Sequence, residues 1–229
     1  MSETSADLPE PLLDAGEARV LACLIEKEAT TPEQYPLTAN AVQVACNQKT
    51  AREPVMDLDA GSVGHALRTL EDKRLVRPIH GARVQRYDHR TDDVYAISPE
   101  QRALLALLML RGAQTAGELF TRSERLFRFR DLEQVRGILE RLETRRPALV
   151  VKPGRGAGQR EDRYAHLLCG PEAAAAQAAH SAPSRAGDAA GAPDTELRER
   201  VARLEADLVE LGAQVERLAR KLTGDHDGD

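Results

Sequence analysis

Apolar positions along the chain follow two rhythms, and the pair of rhythms occurs twice. Ala18, Leu21, Leu24 and Ile25 recur at helical spacing, and so do Leu104, Leu105, Leu107 and Leu108 further on. Each stripe stands behind a helix-start signature. Asp14 with Glu17, Ser98 with Gln101, Thr115 with Glu118 and Asp131 with Gln134 all fit the capping-box spacing or its Asp variant. Pro99 takes the first helical position after Ser98, where its missing N–H leaves nothing unpaired. Second helices are predicted over Thr38–Cys46 and Thr115–Phe127, and third helices over Ala60–Lys73 and Leu132–Arg145. After each third helix the period shortens. Leu75–Ile79 and Ala148–Lys152 read as short strands, each followed by a Gly-containing turn and a second strand that carries Tyr87 or Tyr164.

These rhythms mark an internal duplication. The first copy ends in Gln85-Arg86-Tyr87-Asp88-His89 and the second in Asp162-Arg163-Tyr164-Ala165-His166. Val63, Leu67, Leu70 and Glu71 match Val135, Leu139, Leu142 and Glu143 at a constant offset of 72. A period this long exceeds a solenoid unit, so each copy is expected to be a small domain with its own core. Three helices followed by a hairpin is the winged-helix plan, with the hairpin as the wing. The expected fold class is therefore α+β, mainly helical: two tandem winged-helix domains plus a C-terminal coiled-coil helix. The expected boundaries are a disordered N-terminus at 1–13, domains at 14–98 and 99–170, a flexible Ala/Pro/Gly linker at 171–194, the coiled-coil helix at 195–223 and a disordered tail at 224–229.

The linker is Ala-, Pro-, Gly- and Ser-rich without apolar period, and its Ala run can open as a short helix. Beyond it Leu197, Val201, Leu204, Leu208, Leu211, Val215, Leu218 and Leu222 alternate in steps of four and three. That narrow seam, with Leu at every d position, predicts a left-handed coiled coil and hence a homodimer. The a positions carry no polar residue, so a trimer and an antiparallel pairing stay open.

Charge changes the picture more than composition does. The whole chain carries −5, yet residues 99–170 hold 14 Lys+Arg against 9 Asp+Glu. Residues 1–98 hold 11 against 16, and residues 171–229 hold 7 against 12. Only the second copy has the balance that attracts phosphate. Its candidate contacts are Arg136, Arg141 and Arg145 on the third helix and Lys152, Arg155, Arg160 and Arg163 around the wing. The acids Glu140, Glu143, Glu161 and Asp162 lie among them, so the same residues also fit a solvated, self-paired face. The first copy offers Arg68, Arg83 and Arg86 on a third helix poor in base-reading side chains.

Catalytic and metal-binding readings fail on spacing. The six histidines form no i, i+4 pair, the three cysteines form no CxxC, and no nucleophile elbow, P-loop or dinucleotide fingerprint is present. No catalytic residue, metal or cofactor is assigned. Aromatics at 3% argue against an aromatic-rich ligand pocket. The odd cysteine count and the acidic N-terminus without an apolar run point to a cytoplasmic protein. Residues 104–110 are too short an apolar run to span a membrane.

One segment exceeds what a helix-turn-helix needs. A polar insert separates the second and third helices, and Asn47, Gln48, Lys49, Arg52 and Glu53 are expected to hydrogen-bond one another to hold it. The strings TPEQYPLTAN, ACNQKTAREPVM, RGAQTAGEL and REDRYAHL carry a specific resemblance. Over residues 14–170 the chain resembles the YceH-like family of uncharacterised bacterial proteins. The resemblance implies a tandem pair of winged-helix domains and no activity, cofactor or catalytic residue. The resulting expectation is a non-enzymatic, dimeric protein that binds double-stranded DNA or regulates. The rival is a protein-interaction scaffold that uses the same surfaces against a protein partner.

Overall fold

A computed structural model describes residues 8–79, 84–154 and 161–180. In its first half α1 (Ala15–Thr30) leads through a single 3-10 turn at Pro32–Gln34 into β1 (Leu37–Thr38), α2 (Ala39–Cys46), α3 (Ala60–Asp72), β2 (Val76–Ile79) and β3 (Arg86–His89). The short helix α4 (Thr91–Tyr95) connects to the second half. There α5 (Pro99–Arg111), β4 (Gln114–Thr115), α6 (Ala116–Arg122), α7 (Leu132–Thr144), β5 (Val150–Val151) and β6 (Arg163–His166) repeat the order, and α8 (Gly170–His180) follows. The chain is α+β and mainly helical, with two antiparallel three-stranded sheets ordered β1-β3-β2 and β4-β6-β5. Their registers match: Thr38 faces Arg86 and Leu37 faces Tyr87, while Thr115 faces Arg163 and Gln114 faces Tyr164.

The helix starts have the expected chemistry. Asp14 Oδ1 accepts the Glu17 N–H at 2.7 Å while Glu17 Oε2 accepts the Asp14 N–H at 2.8 Å. Ser98 with Gln101, and Thr115 with Glu118, make the same reciprocal pair, and Asp131 accepts the Gln134 N–H at 2.8 Å. Each box satisfies N–H groups that a helix start leaves orphaned. Helix α6 stops well before Phe127, because Ser123 turns the chain. Ser123 Oγ donates to the Phe120 carbonyl, and the Leu126 and Phe127 N–H groups both close on the Ser123 carbonyl. Helix α8 occupies the first part of the expected linker. Its Ala174 is buried with Ala113, Ala165 and Leu167 against the second sheet, so small apolar side chains rather than a heptad hold it.

The expectation of a separate core in each copy meets a different arrangement. Buried residues from Leu13 to Leu168 form one continuous cluster. In α5 every residue from Ala103 to Leu110 is buried, and in α1 every residue from Glu17 to Ile25. A helix covered all round must pack against neighbours on every side, and α1 and α5 pack against each other. Backbone bonds also cross between halves. Leu13 N–H donates to Leu168 O at 2.7 Å, and Glu53 N–H donates to Leu110 O at 2.8 Å. The expected heptad residues Leu197, Val201, Leu204, Leu208, Leu211, Val215, Leu218 and Leu222 lie outside the described residues.

Candidate nucleic-acid interface

The described cations named for phosphate contact mostly face acceptors inside the protein. Arg136 on α7 pairs with Glu133 at 2.6 Å. Lys152 pairs with Glu143 at 2.8 Å and stands 5.2 Å from the Tyr164 ring centre; the carboxylate raises its pKa. Arg145 reaches into the first half, where its Nη2 donates to the Tyr95 carbonyl at 2.8 Å. Arg68 and Arg141 lie exposed on α3 and α7. Arg83, Arg155 and Arg160 fall outside the described residues.

Arg86 and Arg163 occupy equivalent places and do the same thing. Arg86 Nη1 donates to the Pro36 carbonyl at 2.6 Å, and Arg163 Nη1 donates to the Ala113 carbonyl at 2.8 Å. Each carbonyl belongs to the residue just before the short first strand of its sheet. The guanidinium thus clips the last strand to the first, adding a side-chain bond to a ladder only two residue pairs long. Arg163 also pairs with Glu118 at 3.0 Å. The repeated Arg-Tyr string is therefore a structural clip in both halves. The surface pairs contribute little on their own, since exposed ion pairs are worth about 0–1 kcal/mol.

The structure brings forward cations that the sequence reading passed over. Between α6 and α7, the Arg128 and Arg130 side chains are 84% and 82% exposed, and Arg125 is exposed beside them. Phe127 and Phe129 anchor this segment, their ring centres 4.9 Å apart. The signal was available as an alternation of Arg with Phe just before a capped helix.

The insert between α2 and α3 is built around a buried guanidinium. The Arg52 side chain is 0% exposed and all of its N–H donors are used. Nη1 and Nη2 grip the two Glu26 carboxylate oxygens, Nε donates to Ala45 O, and the rest reach Ala51 O and Gln48 Oε1. Asn47 holds the far end, where its side chain both donates to and accepts from the Leu58 backbone. Glu53 engages through its backbone and Lys49 is exposed. Beneath the insert Cys23 and Cys46 are fully buried. A hydrogen bond with Cys23, together with burial, pushes the Cys46 thiol well above the usual range.

Two histidines sit at matching strand ends. His89 Nε2 lies 3.0 Å from Glu28, and that contact holds the Glu28 carboxyl below its ordinary value. Arg102 on α5 joins Glu28 at 3.3 Å and Asp92 at 2.8 Å, tying α1, α4 and α5 together. His166 is 1% exposed, and burial lowers its pKa from 6.5 to about 4. Below pH 6.5 the unfolded chain binds a proton that the folded protein rejects until about pH 4. Stability should therefore fall across that window by about 1.4 kcal/mol per pH unit, about 3 kcal/mol in all. The Glu28 share is present at higher pH and is lost further down, as pH falls through its depressed pKa. Urea titrations between pH 7 and 4 check this: His166→Gln should flatten the slope, and an unchanged slope would show that another group sets it.

Among the described residues no three His, Cys, Asp or Glu side chains gather as a metal site, and no helix is long and apolar enough to cross a membrane. The model of the family described as "Protein of unknown function, DUF480" matches residues 13–159. The UPF0502 protein of Stenotrophomonas maltophilia strain K279a is 58% identical over 208 residues, covering 91% of this chain and 94% of its own. A UPF0502 protein of S. maltophilia strain R551-3 is 55% identical over 218 residues, covering 95% and 99%. One from Xanthomonas campestris pv. campestris strain B100 is 53% identical over 228 residues, covering 97% and 98%. With a family model over most of the folded part and near full-length relatives above half identity, the chain belongs to the DUF480/UPF0502 family of uncharacterised bacterial proteins.

Proposed function

We propose that the chain is a non-enzymatic binding protein made of two winged-helix units, paired through its C-terminal heptads, and that the first half docks onto another protein. One contrast between the halves carries this reading. In the second half Arg136, Arg145, Lys152 and Arg163 are all bonded to acceptors within the protein. By contrast, the exposed large apolar side chains among the described residues, Leu12, Val44, Val55 and Val84, all belong to the first half. A protein surface is the partner that uses apolar contacts in an acidic setting, whereas a duplex rewards free cations. The outward side of α7 supports the same conclusion, since Arg136 there is paired with Glu133 and Glu140 stands exposed beside Arg141.

The same fold also offers a surface for a duplex. Arg125, Arg128 and Arg130 are exposed just before α7, and in a winged-helix unit that segment approaches the duplex. Affinity retention with the full chain separates the two. In the protein-docking reading Val44→Asp and Val55→Asp release a co-purifying protein, while charge reversal of Arg128 and Arg130 does not. Release of bound nucleic acid on that charge reversal, with the valine variants silent, would support the duplex instead.

A further inference from the structure

We propose that the cavity bounded by α1, the insert, the end of α5 and α8 is a binding site for a small carboxylate with an apolar tail. The cavity measures about 330 Å³, and Arg19 and His166 both line it. That volume falls within the range of small-molecule sites, about 300–1,000 Å³.

Arg19 gives the site its chemistry. It is 1% exposed, in the middle of α1. Its Nη1 donates to Cys46 O at 3.3 Å and its Nη2 to Pro54 O at 2.7 Å. Its Nε has no hydrogen-bond partner, and no carboxylate of the described residues pairs with it. Burial lowers its pKa, and the neighbouring cation Arg52 pushes the same way. Arg52 shows what a neutralised buried guanidinium looks like in this fold: every donor is satisfied and a carboxylate is gripped by two nitrogens. Arg19 has the burial without a carboxylate of its own, since Glu26, which acts on it through space, is gripped by Arg52. A lone buried ion is destabilising by several kcal/mol, and a bound carboxylate supplies both the missing charge and the missing acceptor.

His166 adds a second donor on the same wall. Gln177 Nε2 lies 3.2 Å from its Nε2, so with the amide donating the ring proton sits on Nδ1. That Nδ1 is buried and without a hydrogen-bond partner. Ala18, Met56, Met109 and Ala173 line the remainder and suit a hydrocarbon tail, with the methionines able to adjust to its shape. Asp14 and Glu53, both exposed, also border the cavity and would repel a second negative charge on the ligand. A monoanion fits this balance. The site is independent of which macromolecule the protein docks onto.

Octanoate is a suitable probe, titrated into the full chain by calorimetry with 1-octanol as the uncharged control. Saturable one-site binding of octanoate is expected, with octanol weaker. Arg19→Met should weaken it by about tenfold or more, the worth of a charge-assisted hydrogen bond. Ala173→Phe fills the cavity and leaves Arg19 in place, so it should abolish binding, and it decides the matter if Arg19→Met does not fold. The proposal is overturned if the unmodified chain does not bind octanoate, or if Ala173→Phe binds it unchanged.

Discussion

Replacing Arg52 by Met should lower the free energy of unfolding by about 3–5 kcal/mol, the usual cost of breaking a buried ion pair from one side. The Glu26 carboxylate, only 13% exposed, would be left facing its lost partner, along with Ala45 O and Gln48 Oε1. Whole domains have about 5–15 kcal/mol in total, so the variant would be marginal at growth temperature. Arg52→Lys should recover only part of the loss, because an ammonium cannot reproduce the planar fork that meets both Glu26 oxygens. A double substitution with Glu26→Gln should cost less than the sum of the single changes, since the two residues share one interaction. Urea unfolding followed by circular dichroism reads all four. Near-neutral behaviour of Arg52→Met would mean that the insert is not anchored by this pair.

Truncating Leu24 in α1 or Leu108 in α5 to Ala should each destabilise by about 2–5 kcal/mol, as both side chains are fully buried. The sharper expectation concerns range. Because one core runs through both halves, Leu24→Ala should reduce amide protection in α7 as much as in α3. Hydrogen exchange resolved by helix tests this. Loss of protection confined to the first half would show two independently folding units.

Much of the fold can be read from local chemistry. The capping boxes at Asp14, Ser98 and Thr115 fall where the spacing predicts, because each depends on residues three apart. The duplication is legible for the same reason. What escaped was short or distant. The two-residue strands β1 and β4 are too brief to show a period, and α4 begins without a capping side chain. The shared core left a trace in the unbroken Leu104–Leu110 stretch, whose all-round apolarity predicts burial on every side.

The candidate interface was the hardest part to read. Its arginines stand out in the sequence, but a guanidinium's partner is a matter of geometry across about fifty residues of chain: Arg163 reaches Ala113, and Arg145 reaches Tyr95. Nothing in the local sequence separates a clip from a phosphate contact. The insert was more legible, because Gln48 and Arg52 lie four residues apart and do meet. Its dependence on Glu26, in another helix, was not readable. Arg19 sits in the apolar stretch of α1, and only the three-dimensional arrangement shows that it reaches a cavity.

We propose that the second half's positive balance serves mainly to hold the fold together. The direct test is anisotropy of a labelled duplex titrated with the full chain at low and moderate salt. Only weak binding is expected at physiological salt, in the non-specific range of about 10⁻⁴–10⁻⁶ M. Nanomolar binding that weakens by about 10³-fold or more between about 50 and 200 mM salt would contradict it, since that slope requires several cations to meet phosphates.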